Sequence, residues 1–140
     1  MKIFGINRVN DLYGRSADLK GVEFTKHLLD DLGVKWGIGN AERLKHLPEG
    51  AFITISNHPY GGLDGVMLID LIAGYRPKYK FMVNELVYMA EALQDNFISV
   101  IPRRGNKQPN AMVGYQGIKE TLAQLKQGQP VGFFPAGAVS

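Results

Sequence analysis

Cysteine is absent from all 140 residues. That excludes structural disulfides, thiolate metal sites and a cysteine nucleophile, and it fits a reducing cytoplasm. No apolar run approaches the roughly 18 residues that a membrane-spanning helix needs. The opening MKIFGINRVNDLYGR lacks the long apolar core of a signal peptide. Charge excess is small: 16 basic residues against 13 acidic ones leave a net +3. This mild balance favours phosphates, cofactors or an anionic membrane surface as partners. With basic residues scattered, it gives no case for nucleic acid. The densest basic clusters are Arg76-Pro77-Lys78-Tyr79-Lys80 and Arg103-Arg104. A G-x-S-x-G turn is also missing, which argues against an α/β-hydrolase.

What is present describes a folded chain, 45% hydrophobic and 21% charged, of one-domain length. DLKGVEFTKHLLDDLG has apolar residues at near-helical spacing, with Ser16 as a possible cap at its start and Gly33 at its end. VKWGI is a short strand candidate, AERLKHLPEG a connector, and AFITIS a buried strand rich in Ile and Phe. GVMLIDLIAGY reads as a helix, YKFMV as a strand, and NELVYMAEAL as a helix with Asn84 at its N-cap. FISVIP is the next strand; AMVGYQGIKETLAQLKQG is an amphipathic helix, and PVGFF the last strand. Strand and helix alternate from residue 51 onward. That pattern predicts an α/β fold with a mainly parallel central sheet flanked by helices. The division expected is an N-terminal helical and strand segment, 1–50, followed by an α/β core, 51–140.

In such sheets ligands sit beyond the carboxyl ends of the strands. Three unusual loops fall there: SNHPYGGLDG, PRRGN and PAGAVS. His58 can take a proton from an attacking hydroxyl or amine near neutral pH. It does so best when a carboxylate holds its other ring nitrogen. Asp64 is the nearest acid, and Gly61 and Gly62 relax the chain between them. The structural alternative is a turn in which Asn57 and His58 satisfy backbone groups and Asp64 caps the next helix. Asp70 is a weaker partner, on the apolar face of that helix. Arg103 and Arg104 are either phosphate ligands or solvated surface charges. PAGAVS either holds an anion on its backbone N–H groups or is an ordinary turn. His27, His46 and Trp36 read as surface or packing residues. A metal site lacks a third ligand beside His58 and Asp64, so none is expected.

Together, residues 57–65, FISVIPRRG and FFPAGAVS resemble the first three sequence blocks of the glycerolipid acyltransferase superfamily, the lysophosphatidate-acyltransferase-like enzymes. The similarity runs from about residue 28 to residue 140. It is greatest to a bacterial branch that carries the name hemolysin and includes the lyso-ornithine-lipid acyltransferases. The resemblance implies a glycerol-3-phosphate-acyltransferase-like α/β fold. The implied activity transfers a fatty acyl group from acyl-CoA or acyl carrier protein to a lysolipid acceptor, with no bound cofactor. The family's catalytic histidine and acid map onto His58 and Asp64, and its phosphate-binding arginine onto Arg103 or Arg104. Asn57, Gly61 and Gly62, with Phe134, Pro135, Gly137 and Ser140 of the third block, are the remaining substrate-binding candidates. Lipid substrates imply peripheral attachment at the inner face of the cell membrane.

Three departures bear on this. Five residues separate His58 from Asp64, where most of the superfamily has four. The third block carries Ala136 and Val139 where the family places a glutamate and an arginine, which makes a head group other than glycerol phosphate, such as an amino-acid lipid, a credible acceptor. The chain also stops at Ser140 although the family continues, so a partial sequence is expected. A non-catalytic lipid- or acyl-carrier-binding module is the alternative reading.

Overall fold

The computed structural model describes residues 18–84, 91–100 and 111–136. The chain begins with helix α1, Gly21–Asp31. Its cap is Lys20, without a side-chain hydrogen bond; the expected cap, Ser16, lies outside the described residues. The helix closes where Gly33, at φ 65°, turns the chain and Val34 N–H donates to Leu29 O. VKWGI does not become a strand: residues 34–38 run without regular structure. Val34 and Trp36 are partly exposed and Lys35, Gly37 and Ile38 exposed, so the segment has little buried apolar surface to hold it as a strand.

Ala41–His46 forms a short 3₁₀ turn, followed by strand β1, Ile53–Ile55. Helix α2, Gly62–Leu68, comes next and continues as a π-helical turn, Ile69–Ala73. Strand β2 is Lys80–Asn84, so Asn84, the expected cap, is the last residue of a strand. Most of the helix expected there lies outside the described residues, and its end, Glu91–Asn96, is a 3₁₀ turn. Strand β3, Phe97–Val100, helix α3, Ala111–Lys126, and strand β4, Val131–Phe133, complete the order.

All strand pairs are parallel, in the order β1-β4-β2-β3. The fold is therefore α/β with a parallel sheet, as the alternation predicts. The order adds what alternation cannot supply: the first and last strands are neighbours. Thr54 pairs with Gly132 and Ile55 with Phe133, so the loops leaving β1 and β4 emerge side by side.

Alternating strand positions load one face of the sheet with Phe81, Val83 and Phe97, buried with Phe24 of α1 and Ile69, Ile72 and Ala73 of the π-helical turn. On the other face α3 crosses β3 closely because Gly117 has no side chain. A Cβ there would sit 2.7 Å from the Ser99 carbonyl oxygen. Arg76 braces the segments that enter β1 and β4. Its guanidinium donates to the carbonyls of Pro48, Gly50 and Gly128 and lies 5.4 Å from the centroid of the Phe52 ring. Lys80 pairs with Glu120 at 2.6 Å. Two cations of the densest basic cluster are thus engaged within the fold.

Candidate active site

β1 ends at Ile55, and the chain then turns through Pro59 and Gly61 into α2. Gly61 adopts φ 67° and ψ −134°, a region essentially restricted to glycine. This bend carries the chain back on itself, so that Asp64, in the first turn of α2, faces His58. Nδ1 of His58 lies 3.2 Å from Oδ2 of Asp64, and both side chains are largely buried. The separation is that of a hydrogen bond, but the approach is off line, and among the described residues the buried Nδ1 has no hydrogen-bond partner. The same Asp64 oxygen accepts the N–H of Tyr60 at 2.8 Å. Asp64 does not cap α2, whose N-cap is Gly61; from the helix's first turn its carboxylate instead ties down the backbone before the helix and stands against the imidazole. Such contacts are often loose without substrate and tighten on binding.

The imidazole also rests on a ring. His58 and Phe134 stack with centroids 3.9 Å apart and planes 20° from parallel. Phe134, just past β4, meets Phe81 of β2 edge-on at 4.5 Å, and Phe81 lies 6.4 Å from Tyr79. A file of four rings thus runs from the site into the core. At its inner end the Tyr79 hydroxyl and Thr54 Oγ1 share a hydrogen bond of 2.6 Å. Burial pushes the Tyr79 pKa up to about 12, against a smaller downward pull from that hydrogen bond.

Of the residues picked from sequence, His58, Asp64 and Phe134 come together. Asn57 is exposed beside His58, and Gly62 and Pro135 are exposed at the ends of the two loops. Asp70 turns away to α1, where it accepts the Thr25 hydroxyl at 3.2 Å. Arg103, Arg104, Gly137 and Ser140 lie outside the described residues. The contact of Phe134 with His58 was not foreseen. Its signal would have been the adjacency of β1 and β4, which side-chain periodicity does not encode.

An imidazole and a carboxylate 3.2 Å apart beyond the carboxyl end of a parallel strand have the geometry for moving a proton. The sequence model described as Acyltransferase matches residues 5–140. The chain belongs to that acyltransferase family. Over 87 residues it is 34% identical to the lyso-glycine lipid O-acyltransferase of Bacteroides thetaiotaomicron, an alignment covering 61% of this chain and 31% of that protein. The chain thus spans about a third of that relative's length. No solved structure matches the chain significantly.

Proposed function

We propose that the chain carries the general-base half-site of a lipid O-acyltransferase, with His58 as the base. The observation that carries this reading is the Nδ1–Oδ2 approach of 3.2 Å between His58 and Asp64 at the sheet rim. In the reaction an acceptor hydroxyl attacks the thioester carbonyl of acyl-CoA or an acyl carrier protein. Nε2 of His58 takes the hydroxyl proton as the C–O bond forms. The tetrahedral intermediate then collapses, the C–S bond breaks, and the imidazolium returns the proton to the leaving thiolate. Asp64 stabilises the imidazolium between these steps. The acyl group passes directly between substrates, since the chain has no cysteine and no serine in a nucleophile-elbow turn.

The acceptor we favour is a lysolipid with an amino-acid head group. Ala136 and Val139 replace the charged pair of the family's third block, and the relative's name specifies a lyso-glycine lipid. Arg103 and Arg104 are proposed to hold the donor's or acceptor's anionic group, with Gly137 and Ser140 lining the acceptor side. No helix among the described residues is long and apolar enough to cross a membrane. Attachment is proposed to be peripheral, at the inner face of the cell membrane. Flotation with anionic vesicles at low salt tests it, and failure to bind removes it.

The altered third block also favours a second reading, a lipid- or acyl-carrier-binding module without turnover. One assay separates them: thioester release measured with and without a lyso-aminolipid acceptor. Acceptor-dependent release, lost in His58→Ala, supports the transferase. No release with or without acceptor supports the module.

A further inference from the structure

We infer that Phe134 is a positioning residue for His58, holding the imidazole by its face rather than contacting the acceptor. The inference rests on His58 being the base, and it assigns a role that the third block's resemblance does not. An imidazole turns about two side-chain torsions, so aiming Nε2 requires a constraint on the ring's edge and another on its plane. Asp64 supplies the edge only partly. Its Oδ2 is 3.2 Å from Nδ1 but off line, and that oxygen already accepts the Tyr60 N–H at 2.8 Å.

The plane is set by Phe134, stacked at 3.9 Å and 20°. Phe134 is itself held, because Phe81 meets it at 4.5 Å and 61° and Phe81 is 1% exposed in the core. The constraint therefore runs from the packed centre of the sheet through two rings to the base. β4 delivers it, since its pairing with β1 places the residue after Phe133 beside the loop that leaves Ile55. Phe134 is partly buried, with one face of its ring given to His58 and Phe81 packed against it.

The test compares Phe134→Leu, which keeps apolar bulk without a flat face, with Phe134→Tyr, which keeps the ring. Thermal unfolding confirms that each variant is folded. Should the leucine variant unfold, Phe134→Met takes its place. Two readouts are taken: steady-state acyl transfer to a lyso-aminolipid, and the carbon-bound ring proton resonances of His58. In Phe134→Leu, kcat falls about tenfold or more while the acceptor KM stays within about twofold. In the same variant the His58 resonances move downfield as the ring-current shielding of the stack is lost. Phe134→Tyr keeps both properties near wild type.

A raised acceptor KM with unchanged kcat overturns the inference and returns Phe134 to the acceptor site. So do His58 resonances that ignore the leucine substitution. The resonances need no turnover. If the wild-type protein transfers no acyl group, the positioning role falls with the transferase reading, and the ring-current shift still reports whether the two rings stack.

Discussion

Two polar pairs sit along one file of rings, and they have opposite characters. Thr54 and Tyr79 share a hydrogen bond of 2.6 Å, and Tyr79 is 0% exposed. His58 and Asp64 approach to 3.2 Å at the sheet rim without a bond along the line of their atoms. The inner pair is satisfied. Burial holds the Tyr79 proton up to about pH 12, so the phenol neither gives nor takes a proton near neutrality. Among the described residues the outer pair is unsatisfied at Nδ1. A buried polar pair with its bonding complete stabilises a core. One left incomplete at a loop junction calls for an explanation, and the proposed catalytic role supplies one.

The sharpest way to break this comparison is to exchange the consequences. His58→Ala should reduce acyl transfer by about a thousandfold, within the range for a general base, with a smaller loss of melting temperature from the stack on Phe134. Tyr79→Phe should do the reverse. Steady-state kinetics and thermal melts on both variants decide it. Full activity in folded His58→Ala would place the chemistry elsewhere.

The next largest effect comes from the strand between the pairs. Gly132 is in β4 where any Cβ would overlap the Tyr79 hydroxyl, Thr54 Oγ1 and the Phe81 ring. None of these can retreat, because they are buried or half-buried and packed together. Gly132→Ala should cost about 3 kcal/mol or more in stability, measured by urea unfolding. A well-folded variant of native stability would mean that the inner pair has slack.

Much of this could be read from the chain. Four apolar runs became the four parallel strands, and a glycine pair between His58 and Asp64 pointed to a fold-back that Gly61 provides through its positive φ. Two things were hidden, for one reason. Alternation of strand and helix gives a parallel sheet but not its order, because side-chain periodicity reports which face is buried and not which strand lies alongside. So the β1–β4 adjacency and the Phe134 stack were invisible. VKWGI failed for a related reason: two β-branched residues favour a strand only when a partner edge exists, and residues 34–38 have none. Arg76 looked like part of a basic patch because a sequence shows charge and not the backbone carbonyls that take it up.

Asp64→Asn sharpens the outer half of the comparison. The amide oxygen can still accept the Tyr60 N–H, so α2 keeps its entry, but the charge that stabilises an imidazolium is gone. We expect a large drop in acyl transfer, because an amide neither stabilises the imidazolium nor fixes the ring's tautomer, with little change in stability. If asparagine also unfolded the protein, the carboxylate would belong to the fold more than to the chemistry.

The smallest effect concerns the inner pair's proton. The folded pKa of Tyr79, about 12, lies above the ordinary value of 10.0. Below pH 10 the phenol is neutral in both states, and its share of the stability is fully present. Between the two values the unfolded chain releases the proton while the folded chain keeps it, so stability falls as pH rises. A shift of this size corresponds to roughly 3 kcal/mol at most. Near pH 8 Tyr79→Phe should be less stable than wild type by about 1 kcal/mol, from the lost hydrogen bond to Thr54. Toward about pH 12 that difference should shrink and then reverse, because wild type loses more than the hydrogen bond contributed while phenylalanine has no proton to lose. Urea unfolding of both proteins across this range measures it, and parallel pH profiles would mean that water reaches the hydroxyl and the inner pair is as open as the outer one.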